Sequence, residues 1–270
     1  MIDGFYINLD SCRERASKIK EQLKAIGLES VFQRFAAVDG HQYTFRSSQF
    51  RLTPREVGVW MSHAGAIRKN LGTGNHLHII EDDALLARAL PAFYSRLDKH
   101  QVPEDWDLIF TSIGNVEPVF ADLHQLAGQA RNAGRILMLN LSNVRFSSAL
   151  SYIVRSERKE KLYDLINEGW SSGIPIDLYY RELVLQGKLN AYVTVPFLST
   201  PDLSLDSTIQ RPSASLQLFR IVNALFYIEA DPEKLLKQAK QYTQDIACDP
   251  VIEVFLELQK FRASGRFEIF

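Results

Sequence analysis

Three features predict an α/β fold with a parallel sheet. They are an opening strand–helix–strand pattern, a strongly capped second helix that leads into a buried strand ending in three carboxylates, and a purely helical stretch toward the carboxyl end. Residues 4 to 9, GFYINL, form a short apolar run that closes around Asn8 and Asp10. Ser11-Cys12-Arg13-Glu14 then spells a capping box, so a helix is expected to start there. Its buried stripe would be Ala16, Ile19, Leu23 and Ile26, with Gly27 to close it. Residues 31 to 38 supply a second strand ending at Asp39-Gly40, which completes a βαβ unit. Loops at the carboxyl ends of such strands bind ligands.

Thr53-Pro54-Arg55-Glu56 is a second capping box with proline in the first helical turn. This helix should run to Gly72, with Val57, Met61, Ala64, Ile67 and Leu71 on its apolar face. The run LHII at 77 to 80 reads as a buried strand, and it stops at Glu81-Asp82-Asp83. Strands are further expected at 106 to 110, 135 to 139, 148 to 154 and 190 to 195, the last closing the series, with helices at 157 to 169 and 177 to 187. From 215 to 264 the periodicity is helical throughout, with first-turn prolines after Asp231 and Asp249. The chain therefore divides into an α/β domain over 1–212 and an α-helical extension over 213–270.

A content of 46% hydrophobic and 11% aromatic residues in 270 is enough for a full core and excludes general disorder. With 31 Lys and Arg against 32 Asp and Glu, the net charge of -1 provides no field for nucleic acid, which is excluded as a partner. Cys12 and Cys248 stand apart and outside any Cys/His spacing, so neither a disulfide framework nor a zinc site is expected, and a reducing, cytoplasmic setting fits. No run approaches the roughly 18 apolar residues of a membrane span, and the start carries no signal-peptide pattern.

Three consecutive carboxylates after a buried strand repel one another unless a cation sits among them. In an extended loop Glu81 and Asp83 would face one side and Asp82 the other, so the first and third could hold magnesium or manganese against a diphosphate. The same run is also met as a solvated loop that caps the next helix. A receiver domain, which likewise opens on a strand ending in acids, needs a phosphate-accepting Asp after a later strand. Thr111-Ser112 stands there instead.

Several segments, in order, resemble glycosyltransferase family 25, which includes bacterial lipopolysaccharide galactosyl- and glucosyltransferases and collagen galactosyltransferases. FYINLDSCRERASKIKEQL is similar to the family's opening strand and helix, and RFAAVDG to its second strand. LTPREVGVWMSHAGAIRK resembles its Gly-x-x-x-Ser-His helix through Gly58, Ser62 and His63, although Val59-Trp60 stands where the family often has small residues. IIEDDALL, DWDLIF, SALSYIVRSERKEKL, Pro175-Ile176-Asp177 and PDLSLDSTI extend the likeness, which spans about residues 4 to 209.

The resemblance implies a GT-A-like, Rossmann-type nucleotide-sugar-binding domain and an inverting transfer from a UDP-sugar, galactose before glucose. The acceptor would be an oligosaccharide or lipid-linked glycan in lipopolysaccharide or other surface-glycan assembly. It implies Asp177 as catalytic base, where the residues alone favour a helix N-cap. It also implies Mn2+ or Mg2+ held by Asp83 and Glu81. Asn8, Arg15, Asp39, His63, Glu81, Asp82 and Asp206 become donor-binding candidates. Taken singly, Arg15 reads as a solvated helix residue, Asp39 and Asp206 as turn residues, and His63 as a structural histidine. A catalytically inactive family member that serves as a binding module is the alternative. Peripheral association with the inner membrane would suit a lipid-linked acceptor, yet the helical tail shows no strongly basic amphipathic face.

Overall fold

The computed structural model describes residues 1–43, 52–97, 102–115, 120–205 and 213–243. The opening is the expected βαβ unit: strand β1 (Ile2–Asn8), helix α1 (Arg13–Ala25) and strand β2 (Phe32–Ala36). β1 and β2 pair in parallel, from Gly4 opposite Phe32 to Asn8 opposite Ala36. The first capping box does not form. Cys12 is the N-cap of α1 and makes no side-chain cap, while Asn8 Nδ2 reaches forward to the Cys12 carbonyl at 2.9 Å and fixes the turn. Gly27 follows α1 with φ 73°, a left-handed conformation that favours glycine.

Helix α2 (Pro54–Lys69) starts as expected. The Thr53 hydroxyl accepts from the Glu56 amide at 3.3 Å, and the Glu56 carboxylate accepts from the Thr53 amide at 2.7 Å. Strands β3 (His76–Glu81) and β4 (Ala84–Leu86) and helix α3 (Leu90–Leu97) come next. They are followed by strands β5 (Leu108–Phe110) and β6 (Gly114–Asn115), helix α4 (Phe120–Asn132) and strands β7 (Leu137–Asn140), β8 (Phe146–Ser147) and β9 (Ser151–Val154). Helices α5 (Lys159–Gly169) and α6 (Ile176–Leu185) precede strands β10 (Ala191–Val195) and β11 (Ser199–Pro201). Helices α7 (Ala214–Ala224) and α8 (Pro232–Thr243) end the described chain. β10 is therefore not the last strand, because β11 pairs antiparallel with β4, Ser199 opposite Leu86. The second tail helix, expected after Asp249, and the segment 206–212 at the expected domain boundary lie outside the described residues.

A seven-stranded sheet in the order β2-β1-β3-β9-β5-β10-β7 forms the centre. β2, β1 and β3 run parallel, β9 is antiparallel to both β3 and β5, and β7 is antiparallel to β10. Alternate residues of each strand feed two separate cores, because successive side chains point to opposite faces. Phe5 and Ile7 of β1, Leu77 and Ile79 of β3, and Tyr152 and Val154 of β9 meet α2, α5, α6 and α7 on one face. Tyr6, Ile80 and Ile153 meet α1 and α3 on the other. The result is a mixed α/β, Rossmann-like GT-A architecture with helices on both faces of the sheet. Among the described residues, no helix is long and apolar enough to cross a membrane.

Candidate active site

From β1 the chain passes to β2 on one side, then returns to β3 on the other, so the strand order reverses between β1 and β3. A crevice opens at the carboxyl ends of strands at such a point. Asn8 ends β1 and Glu81 ends β3, and the three carboxylates begin there. Residues 82 and 83 form a tight turn into β4 rather than an extended loop, so the expected alternation is lost. Glu81, Asp82 and Asp83 all line one cavity of about 460 Å³, together with Arg15 and Asp177. A second cavity of about 410 Å³ is lined by Asn8, Asp39, His63, Glu81 and Asp82, and the two meet at Glu81 and Asp82. Asp206 lies outside the described residues.

Each acid has a different environment. Asp82 is held at both oxygens, by Asn8 Nδ2 at 2.6 Å and Arg15 Nη1 at 3.2 Å. Burial still raises its pKa above the ordinary carboxylate range, against these two partners. Glu81 stands 3.4 Å from His63 Nε2. Asp83 is half-buried, but its Oδ1 is buried and has no hydrogen-bond partner. Burial, then the Glu81 and Asp82 charges, push its pKa up to about 7. An acid placed so that its charged form is disfavoured is a usual mark of a site whose charge partner is a ligand.

The Gly-x-x-x-Ser-His pattern of α2 has a local explanation. A Cβ on Gly58 would stand 2.5 Å from the Val38 carbonyl, so only glycine lets α2 approach the loop after β2 this closely. Ser62 Oγ accepts from the Val38 amide at 2.8 Å and donates to the Gly58 carbonyl at 2.6 Å. Asp39 caps the short turn that follows by accepting from the His41 amide at 3.0 Å. His63, the next residue on α2, is buried, with Nδ1 2.8 Å from the Tyr152 hydroxyl, which lies 3.0 Å from that of Tyr180.

Asp177 lies in the first turn of α6 but does not cap it, since Pro175 is the N-cap and makes no side-chain cap. Its Oδ2 accepts from the Ser148 amide at 2.8 Å, and Ser148 holds φ 75°, unusual for a residue other than glycine. That bond fixes the carboxylate at the wall of the larger cavity. α7 completes the wall with Leu216, Phe219, Arg220 and Asn223. Nothing in the sequence marks these four, or Tyr152 and Tyr180, because amphipathic helices and apolar strands look alike whether or not they border a cavity.

Among the described residues, no three His, Cys, Asp or Glu side chains converge as a self-sufficient metal site. Magnesium and manganese at nucleotide sites take one or two carboxylates and complete their shell with phosphate and water. An unpartnered buried carboxylate oxygen on Asp83, beside Glu81, fits that demand.

The model of glycosyltransferase family 25, described as LPS biosynthesis protein, matches residues 1–180. No individual curated protein matches the chain. Within the matched residues lie the opening βαβ unit, the Gly58-Ser62-His63 helix, the carboxylate turn and Asp177, and a match over most of the chain shows that the protein belongs to glycosyltransferase family 25.

Proposed function

We propose that the chain is an inverting transferase that moves a hexose, galactose or glucose, from a UDP-sugar to a hydroxyl of a surface-glycan acceptor. The observation that carries this reading is the position of Glu81, Asp82 and Asp83 at the reversal point of the sheet, on one cavity with Asp177. The smaller cavity, with Asn8, Asp39 and His63, has the size and polar rim for a nucleoside, and the larger one for the reacting sugars.

In the transfer, the acceptor hydroxyl gives its proton to the Asp177 carboxylate as its oxygen bonds to the sugar C1. The bond from C1 to the diphosphate oxygen breaks, and its electron pair leaves with UDP. The Ser148 amide keeps Asp177 oriented. A divalent ion bound by Asp83 and Glu81 would neutralise charge on the departing diphosphate. Arg15, already paired with Asp82, adds a fixed positive charge to the same wall.

Calorimetric titration of UDP-galactose, UDP-glucose and UDP, with and without manganese, tests the reading on the natural chain and on Asp83→Ala. Metal-dependent binding that the substitution removes supports the transferase site and ranks the sugars. Failure of every UDP ligand to bind would overturn it and favour an inactive binding module.

A further inference from the structure

The family match ends at residue 180, yet one wall of the larger cavity is built after that point, by α7. The helix is firmly seated. Leu218, Ile221 and Val222 enter the main core. Arg220 donates to the Leu205 carbonyl at 2.9 Å and the Asp202 carbonyl at 2.8 Å, and the Asp202 amide donates to the Asp83 carbonyl at 2.7 Å. Two steps of hydrogen bonding thus tie α7 to the backbone of the carboxylate turn.

Phe219 is the aromatic side chain among the described residues lining this cavity, and it is only partly buried. Its place is prepared by Gly114 of β6, where an added Cβ would stand 3.2 Å from Phe219 Cζ and would collide with Ser147 Oγ. The lining combines the carboxylates of Asp177 and the three-acid turn with the apolar side chains of Ile113, Leu216 and Phe219. A pyranose matches such a cavity. Its C–H face suits the electron-rich face of an aromatic ring, and its hydroxyl edge suits carboxylates.

Resting on the transferase reading above, we propose that Phe219 is a specificity-determining residue that receives the apolar face of the acceptor pyranose and so presents one hydroxyl to Asp177. α7 then selects the acceptor, while the matched residues hold the donor.

The test uses the full chain saturated with UDP and manganese, with methyl galactopyranoside, methyl glucopyranoside and methyl N-acetylglucosaminide as probes, read by saturation-transfer NMR. Phe219→Leu keeps an apolar side chain of similar bulk but removes the aromatic face, and Phe219→Tyr keeps the face. The expected result is binding of at least one pyranoside to the natural chain, strongest at its ring C–H protons. That binding should weaken about three- to tenfold in Phe219→Leu and be retained in Phe219→Tyr, with UDP affinity unchanged in both. Equal binding by Phe219→Leu, parallel loss of UDP binding, or no pyranoside binding to the UDP-loaded natural chain would overturn the proposal. A natural chain that fails to bind UDP at all would instead remove the transferase reading beneath it.

Discussion

Asn8 Nδ2 donates to Asp82 Oδ2 over 2.6 Å, joining the carboxyl end of β1 to the turn after β3 across the point where the strand order reverses. The same amide nitrogen also holds the Cys12 carbonyl, and Asn8 Oδ1 accepts from Arg34 Nε at 2.9 Å. One buried side chain thus fixes the start of α1, the second strand and the middle acid together. Asn8→Ala removes all three contacts and leaves buried groups unpaired, at a cost of about 1–3 kcal/mol. Urea unfolding should show that loss together with weaker UDP binding, and a variant with unchanged stability would mean that the crevice is held by other contacts.

Asp83 predicts a gain in stability with a loss of function. One of its carboxylate oxygens is buried and unpartnered, and two like charges stand beside it, so without a cation the ionised form destabilises the fold. At pH 8 and without metal, Asp83→Asn should raise stability by on the order of 1–3 kcal/mol while abolishing the manganese-dependent part of UDP binding. Thermal unfolding with and without manganese checks both halves. A lower Tm in the variant would show that the native carboxylate is already satisfied.

Asp177→Asn tests the proposed base. The amide keeps an oxygen for the Ser148 amide, so the local fold should survive while the proton acceptor is gone. A fall in kcat of about 100- to 10,000-fold with unchanged UDP affinity is expected. Loss of donor binding instead would place Asp177 on the donor side.

Much of this site was legible in the sequence because its parts sit beside strong local signals. Thr53 to Glu56 announced α2, the run LHII led to the acids, and Gly58, Ser62 and His63 fell within one helix. The relations between parts were not legible. Nothing local told that Asp82 would be held by Asn8 and Arg15, because that depends on the tight turn at 82–83. The strands β4, β6, β8 and β11 are only two or three residues long, too short to carry a periodic pattern. Nothing in the sequence of α7 marks Phe219 or Arg220, because their partners, Gly114 and Asp202, lie far away in the chain.

Tyr152 and Tyr180 support His63 from behind. In the arrangement that gives every donor an acceptor, Tyr180 donates to Tyr152, Tyr152 to His63 Nδ1, and His63 Nε2 toward Glu81. Burial holds both phenols well above their ordinary pKa, so both protons stay in place. Tyr152→Phe should therefore weaken UDP binding about fivefold by freeing the imidazole, and Tyr180→Phe should do less, since it leaves the imidazole's partner intact. Calorimetry on the two variants decides, and a larger effect from Tyr180→Phe would contradict this order of donors.

His78 gives the fold an acid sensitivity of known sign. It is wholly buried, bonded to the Tyr94 hydroxyl at 2.6 Å and the Ser151 hydroxyl at 2.9 Å, and burial pushes its pKa down from 6.5 to about 3. Between those values the unfolded chain binds a proton that the native one refuses. Stability present above pH 6.5 is thus lost as pH falls, by about 1.4 kcal/mol per pH unit. Asp83 has a raised pKa and acts in the opposite sense, its neutral form stabilising the fold as pH falls from about 7 toward 3.8. The two slopes nearly cancel in the natural chain, so the measurement belongs in the Asp83→Asn background. There, urea midpoints between pH 4 and 7 should rise with pH, and adding His78→Gln, which can still bond Tyr94 and Ser151, should remove the histidine's share of that rise. Parallel lines for the two variants would mean that His78 takes up its proton in the native fold as readily as in the unfolded chain, and that this polar pocket opens to water.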